Sequence, residues 1–150
     1  MQTSEETEFV TVLIAGQLFG LPIARVHDVF MVDRLTRVPL APPEVAGIMN
    51  LRGRVVTTID MRRRLDLPPR EETGNRMAVG IERRGESYGL LIDSVGEVLK
   101  IPMANREPNP VNLDPRWAQV AAGVVQLDGR LMVVLDVDRV LELKALGMVA

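Results

Sequence analysis

The sequence predicts an all-β fold made of two copies of one five-stranded barrel, with short helical turns and a C-terminal helix. Three observations support this prediction: the apolar runs are short and separated by glycine turns, the pattern occurs twice, and valine is abundant. Apolar residues make up 47% of the 150 residues, whereas aromatic residues make up only 3%. The core must therefore be aliphatic, and β-branched side chains suit a pleated sheet better than a helix.

Four pairs of apolar runs, each joined by a glycine-containing turn, have the signature of β-hairpins. The pairs are 9–14 with 18–21, 48–51 with 55–59, 77–81 with 88–92, and 124–127 with 131–135. Asp128-Gly129 is the strongest candidate for a tight primed turn, because this dipeptide adopts the required positive φ angles at low cost.

The hairpins belong to two copies of one pattern. Residues 19–29 align without gaps on residues 88–98, and both segments read aromatic-Gly-Leu-x-Ile-x-x-Val-x-acid-Val. Residues 53–60 likewise match residues 129–136. An internal repeat of this kind decides the architecture before any single element does.

Each copy also contains a candidate fifth strand, at residues 29–32 and 97–101. Five antiparallel strands per copy predict a small closed barrel, since closure removes exposed sheet edges. The chain is expected to form a single domain of two subdomains, about 8–66 and 76–143, with allowance for strands that cross between them. A linker at 67–75 is indicated by its prolines, glycine and charges.

Helix is a minor part of the prediction. Asp60 and Asp136 each end a predicted strand, where they are expected to cap helices at 61–65 and 137–146 rather than to form a catalytic carboxylate pair. The second copy is longer than the first, and its extra length falls in an irregular stretch at 105–114.

The composition argues against several functional classes. The net charge of −2 argues against nucleic-acid binding, and the lack of cysteine excludes disulfides, thiol chemistry and cysteine-based zinc sites. The run 62–64 is interpreted as the solvated face of a helix rather than a phosphate site. His27, the single histidine, and Asp28 are the only local candidates for a cleft site. We therefore expect no enzyme, no cofactor and no metal.

No apolar run approaches the roughly 18 residues of a membrane span. The acidic N-terminus does not have the pattern of a signal peptide. These features predict a cytoplasmic protein without direct membrane insertion.

The two copies differ most at one hairpin turn. Residues 47–54 align on 123–130, which places Arg52 opposite Asp128 and so reverses the charge. One interpretation is that any polar residue serves at a turn tip. The other is that the first copy has specialised this corner to pair with an acid, either Asp28 within the chain or a group on a partner. The pattern favours neither.

A second unusual feature is surplus apolar character: little alternation separates Val26, Val29, Phe30, Met31 and Val32. One face of a small barrel strand cannot bury all of these side chains. Packing between the barrels accounts for most of them, and a partner-binding groove accounts for the rest, because apolar patches on soluble proteins tend to be interaction sites.

At this point the motifs resemble those of a known family, the CheW coupling proteins of bacterial chemotaxis. The segment from Asn50 to Arg62, which reads NLRGRVVTTIDMR, resembles the family signature. Further matches are the stretches 19–26, 37–39 and 89–95. The resemblance extends from about residue 8 to residue 143, nearly the whole chain.

The resemblance implies two intertwined SH3-like barrels and a non-catalytic adaptor without a cofactor. It implies two partners, the cytoplasmic tips of chemoreceptors and the regulatory domain of a CheA-type histidine kinase, and recruitment from the cytoplasm to receptor arrays. The implied receptor-binding groove comprises Val26, Asp28, Gly47, Asn50, Arg52 and Gly53. The implied kinase interface comprises Arg54, Val55, Val56 and Thr57.

Asp28 stands where the family usually has glutamate, which makes its pairing with Arg52 an open question. Two alternatives to the chemotaxis role also remain open. One is a CheW-like adaptor of a non-flagellar pathway, such as twitching motility or development, and the other is a small-ligand-binding double barrel.

Overall fold

The computed structural model describes residues 6–69 and 76–143. The strands are β1 (Glu6–Ile14), β2 (Gln17–Pro22), β3 (Val26–Val32), β4 (Val45–Leu51), β5 (Arg54–Asp60), β6 (Arg76–Arg83), β7 (Glu86–Ile92), β8 (Ser94–Pro102), β9 (Arg106–Glu107), β10 (Ala121–Leu127) and β11 (Arg130–Leu135). The short α-helices are α1 (Met61–Arg64), α2 (Pro115–Ala118) and α3 (Val137–Val140), and 3-10 turns span Ile23–Arg25 and Met103–Asn105.

The predicted all-β class is confirmed, as are the four hairpins, which are β1–β2, β4–β5, β6–β7 and β10–β11. The predicted fifth strands are β3 and β8, and both begin three residues earlier than expected. The division of the chain at the predicted linker stays a prediction, and residues 70–75 of that linker lie outside the described residues.

The fifth strands are exchanged between the two copies. One sheet has the order β8-β1-β2-β11-β10-β9 and the other the order β3-β6-β7-β5-β4. Strand β3 of the first copy thus pairs with β6 of the second, and β8 of the second copy pairs with β1 of the first. Each sheet therefore contains strands from both copies.

The expectation of purely antiparallel pairing is wrong at two places. Strand β2 runs parallel to β11, and β5 runs parallel to β7. Hairpin pairing is local and necessarily antiparallel, whereas these two contacts join hairpins from different copies. Their direction is therefore set by the way the hairpins pack.

Each sheet is strongly curled. In the first, the chain leaves β8 at Pro102 and enters β9, at the opposite edge, at Arg106. In the second, the chain leaves β3 at Val32, and Thr36 forms a bridge with Ile48 of β4, again at the opposite edge. A connection of this length spans about 14 Å at most, so the two edges of each sheet must lie close together.

Three apolar clusters fill the protein. The central core contains side chains of both sheets, including Phe19, Leu21, Ile59 and Leu90. Each sheet also encloses a smaller cluster on its other face. Their largest members are, in the first sheet, Phe9, Ile101 and Met132, and in the second, Phe30, Val32 and Leu91. The strands that contribute side chains to two clusters are thus buried on both faces, which explains their continuous apolar runs.

The hairpin turns agree with the prediction except at one position. Both central residues have positive φ at Ala15-Gly16, Arg52-Gly53 and Arg84-Gly85. At the fourth hairpin Gly129 has a φ of 78°, but Asp128 is not among the left-handed residues of the described chain. The prediction of a primed turn at Asp128-Gly129 is therefore wrong, since a turn with positive φ only at its second central residue has type II character.

The capping role of the two aspartates is confirmed. The Asp60 carboxylate accepts the backbone N–H of Arg63 at 3.3 Å, and Asp136 accepts that of Arg139 at 3.2 Å. Helix α1 ends at Arg64, one residue earlier than predicted, and α3 ends at Val140. The predicted continuation of α3 fails at 141–143, where Leu141 and Leu143 turn into the central core. Residues 144–146 lie outside the described residues.

Helix α2 was not predicted, although the sequence carries a signal for it. The Asp114 carboxylate accepts the N–H of Arg116 at 2.9 Å, and Pro115 occupies the first helical position. Aspartate followed by proline is a common helix start. The Arg116 guanidinium lowers the pKa of Asp114 to about 2 and also pairs with Asp66, which ties α2 to the segment after α1.

One ion pair at α1 and one at α3 link these helices to the connections between strands. In the first pair the helix supplies the arginine, and in the second it supplies the aspartate. Arg62, the second residue of α1, forms a two-point contact with Asp93, between β7 and β8, at 3.1 and 2.7 Å. Asp138, the second residue of α3, accepts a hydrogen bond from Arg25, which lies between β2 and β3, at 3.1 Å. Hydrogen bonding to Asp93 raises the pKa of Arg62, and the Arg25 contact lowers the pKa of Asp138.

The interpretation of residues 62–64 as a solvated run is therefore wrong for two of its members. Arg62 contacts Asp93, and Arg64 donates to the carbonyl oxygens of Val140 and Arg139 at 2.9 Å each. The guanidinium of Arg64 thus caps the carboxyl end of α3, and its burial lowers its pKa.

We predict that Asp93→Asn destabilises the fold more than Asp138→Asn. The Arg62–Asp93 side chains are only 21% and 25% exposed, whereas Asp138 is 52% exposed. The first change should cost about 1.5–3 kcal/mol, as expected for a charge-assisted pair shielded from solvent, and the second less than about 1 kcal/mol. Urea unfolding at neutral pH measures both, and equal losses would contradict the assignment.

Candidate functional site

Asp28 and Arg52 lie together at one corner of the second sheet. Arg52 Nη1 is 3.5 Å from Asp28 Oδ2, so the acid that faces the arginine lies within the chain. The Arg52 side chain is nevertheless 76% exposed, compared with 27% for Asp28. The contact is long and involves only one nitrogen of the guanidinium, so this group still presents most of its donors to solvent.

The turn between β4 and β5 holds Arg52 in an unfavourable conformation. Arg52 has a φ of 53° and Gly53 a φ of 82°. Asn50 stabilises this turn, because its Oδ1 accepts the backbone N–H of Gly53 at 2.9 Å. A left-handed conformation costs a residue with a β-carbon about 1–2 kcal/mol. The fold therefore bears a cost to present an arginine at a position suited to glycine or asparagine.

Gly80 on β6 makes room for the Asp28 carboxylate. A β-carbon at this position would lie 2.1 Å from Asp28 Oδ1. A glycine within a strand is a signal for close approach of another group. Gly80 could not be identified from the sequence, because only the exchange of β3 brings Asp28 next to it.

A small pocket of about 150 Å³ lies beside the ion pair. The buried side chains of Phe30 and Ile81 contribute apolar lining, and the polar lining comes from His27, Asp28, Arg52, Arg54, Glu82 and Ser87. The pocket can accept one apolar side chain next to a group that pairs with arginine. Ile81 belongs to the second copy and was likewise missed by sequence reasoning.

The predicted kinase strand is only partly on the surface. Val55 is 60% exposed, Thr57 is half-buried, and Val56 is 2% exposed within the apolar cluster of the second sheet. The expectation that Val56 contributes to an exposed surface is wrong, since side chains alternate between the faces of a strand. The exposed Arg54 donates to Ser87 Oγ at 3.2 Å.

Of the six predicted groove residues, Val26, Gly47, Asn50 and Gly53 do not line the pocket. Gly47 is buried with a φ of 155°, and a β-carbon there would lie 2.7 Å from the carbonyl oxygen of Thr36. Gly47 thus permits the bridge between Thr36 and Ile48. Val26 is half-buried and packs against the central core.

The apolar run on β3 divides between core and surface. Phe30 and Val32 are buried, whereas Val29 and Met31 are 42% and 51% exposed. On β8, the other exchanged edge strand, Val98 is 48% exposed. The surplus apolar character seen in the sequence therefore includes solvent-facing side chains.

Within residues 6–69 and 76–143, no group of three or more His, Cys, Asp or Glu side chains is placed to hold a metal ion. In the same residues no helix combines the length and apolarity needed to cross a membrane. The exposed His27 lines the pocket beside Asp28.

The family model of the CheW-like domain matches residues 8–145. The chain belongs to the CheW-like domain family. Chemotaxis protein CheW of Bacillus subtilis is 26% identical over 135 residues, covering 90% of this chain and 86% of the relative. Protein FrzA of Myxococcus xanthus is 30% identical over 135 residues, covering 85% and 79%.

The crystal structure of scaffolding protein TtCheW from Thermoanaerobacter tengcongensis matches with a TM-score of 0.82 and 27% identity. The match covers 93% of this chain and 95% of that one. The exchanged two-sheet fold is thus that of a CheW-like scaffold, and the chain is an adaptor of chemotaxis signal transduction.

We predict that Arg52→Asn leaves the thermal midpoint unchanged or raises it by up to about 3 °C. Asparagine tolerates the left-handed conformation, and the lost surface ion pair is worth less than about 1 kcal/mol. Arg54→Asn is the matched control, since Arg54 has no left-handed strain to relieve. A clear fall in the midpoint of the Arg52 variant alone, measured by calorimetry, would contradict this account.

Proposed function

We propose that this chain couples chemoreceptors to a CheA-type histidine kinase by binding both, without catalysing a reaction or holding a cofactor. The observation that carries the proposal is the strained, exposed Arg52 paired with Asp28, close to an edge strand with exposed Val29 and Met31. An open arginine beside a partly apolar pocket, at the end of a strand that also carries exposed apolar side chains, is typical of a protein-binding surface.

For the receptor, we propose the surface formed by Asp28, Arg52 and the neighbouring pocket. Its apolar lining fits a side chain from the cytoplasmic tip of a receptor, and Arg52 can donate to an oxygen beside it. Asn50 and Gly53 support this surface by fixing the turn. Val26 and Gly47 act indirectly, Val26 through the packing of β3 and Gly47 through that of β4.

For the kinase, we propose a contact at the exposed part of β5, formed by Arg54, Val55 and Thr57. Val56 supports this strand from the core. A paired strand with an exposed valine can pack against another small β domain through apolar contact. Each contact can be weak, because an array raises the effective concentration of its members. We propose recruitment from the cytoplasm to such receptor arrays.

The experiment is a pair of calorimetric titrations, with a receptor-tip fragment and with the kinase regulatory domain. Arg52→Asp should abolish receptor binding and leave kinase binding and the circular-dichroism spectrum unchanged. Val55→Asp should do the reverse. Asp128→Arg is the matched control, since it reverses a charge at the equivalent turn of the second copy, and it should bind both partners normally.

Unchanged receptor binding by a folded Arg52→Asp variant would overturn the receptor surface. Unchanged kinase binding by Val55→Asp would overturn the kinase surface. Measurable turnover or binding of a small ligand at the pocket would favour the alternative of a ligand-binding double barrel.

The second candidate is the same adaptor role in a non-flagellar pathway such as twitching motility or development. The similarity to Protein FrzA relates only weakly to this candidate, whereas the similarity to chemotaxis protein CheW supports the first. Co-purification of the receptors and kinase bound in the cell distinguishes the two pathways.

A further inference from the structure

A second cavity lies at the other end of β4 from Arg52. It has a volume of about 680 Å³ and is open to solvent. Its lining comes from the loop before β4, from the first residues of β4 and from α1. Val45 and Asn50 are separated by about 17 Å of extended strand, so this cavity is distinct from the surface around Arg52.

Leu40 stands at the rim of this cavity in a strained conformation. Its φ is 64° and its side chain is fully exposed. The backbone N–H of Ala41 donates to the Val38 carbonyl at 3.3 Å, and Pro39 precedes Leu40, which is the pattern of a type II turn. Glycine or asparagine is favoured at this position, so an exposed leucine here is costly for folding and indicates a role in binding.

The lining chemistry limits what the cavity can bind. Besides Leu40, it contains Val38 and the prolines Pro39, Pro42 and Pro43. Proline has no backbone N–H, so these residues cannot cradle an anion with amide groups or add a strand to a sheet. The loop therefore offers apolar contact.

Two arginines supply positive charge beside this apolar loop. Arg37 and Arg63 both line the cavity and are exposed, and neither forms an ion pair within the described residues. Asp60 also lines the cavity, and its carboxylate accepts the backbone N–H of Arg63, so the two arginines outnumber one acid there. Arg139, which holds the position of Arg63 in α3, is instead paired with Asp136 at 3.6 Å.

The second copy shows how the equivalent loop is built when it packs on the protein. Glu44 and Val120 hold equivalent positions in the two copies. The Glu44 carbonyl accepts the backbone N–H of Asp60, and the Val120 carbonyl accepts that of Asp136, both at 2.8 Å. The second-copy loop, residues 111–119, is longer than residues 40–43 and contains α2. Its Trp117 packs edge-on against Phe19, with ring centroids 5.4 Å apart. The first-copy loop has no such aromatic anchor and leaves a cavity.

We propose that this Leu40 cavity, formed by residues 37–46 with Arg63, docks a protein segment in which an apolar side chain is flanked by carboxylates. The apolar side chain packs against Leu40 and the prolines, and the carboxylates pair with Arg37 and Arg63. The charge complementarity with two unpaired arginines sets the chemistry of this partner. The proposal stands independently of the receptor and kinase contacts.

The test uses an acetylated, amidated peptide in which a central leucine is flanked on each side by two glutamates. A second peptide, with glutamine in place of every glutamate, is the matched control. Titration into ¹⁵N-labelled protein should shift the amide resonances of Arg63 and of the non-proline residues within 37–46. The glutamine peptide should bind at least about tenfold more weakly than the glutamate peptide. Added salt should lower the affinity of the glutamate peptide.

Two variants separate binding from folding. Leu40→Asn should retain or raise the thermal midpoint, because asparagine relieves the strain of the turn. The same change should lower the affinity for the glutamate peptide about fivefold or more, because the apolar contact is lost. Arg63→Glu should lower the affinity for the glutamate peptide about tenfold or more. For Arg139→Glu, the equivalent change on α3, the affinity should stay within about twofold of that of the unmodified chain.

The proposal is overturned if millimolar peptide shifts no resonance in residues 37–46 or if the glutamine peptide binds equally well. It is also overturned if folded Leu40→Asn and Arg63→Glu variants bind like the unmodified chain. Concentration-dependent dimerisation that Arg63→Glu abolishes would assign the cavity to a second copy of the chain instead.

Discussion

The exchange of one strand between the two copies is the constraint on which the rest of the structure depends. Strand β3 completes a sheet whose neighbouring hairpin belongs to the second copy, and β8 does the converse. Neither sheet can therefore form from one copy alone, and the central core draws side chains from both. The crossovers into these strands must be held in place, and the oppositely directed pairs Arg62–Asp93 and Arg25–Asp138 hold them against the helices.

The same exchange creates the candidate site. Asp28 lies on the exchanged strand, above Gly80 of the second copy, and meets Arg52 from a hairpin at the far edge of the curled sheet. The pair thus closes one corner of that sheet.

The functional candidates are found where the repeat is broken. The scaffold is common to both copies, including the capping aspartates Asp60 and Asp136, whereas Arg52 and Leu40 belong to the first copy alone. Both adopt left-handed conformations that a glycine or asparagine would tolerate better. Ala15 and Arg84 adopt the same conformation in other hairpin turns, so the strain indicates a role for Arg52 and Leu40 only together with the pocket or cavity beside each of them.

The all-β class, the hairpins, the two strand-end caps and the choice of Asp28 as one acid that could face Arg52 could all be predicted from the sequence. These features depend on residues close in the chain, where turn chemistry and alternating burial set the local structure. The strand exchange, the parallel pairs, the burial of Val56 and the place of Gly80 beside Asp28 could not be predicted in this way, because they depend on contacts between the two copies. Two copies with nearly the same pattern can pair within or between themselves, and local preferences do not distinguish these arrangements, so the packing of the shared core makes the choice.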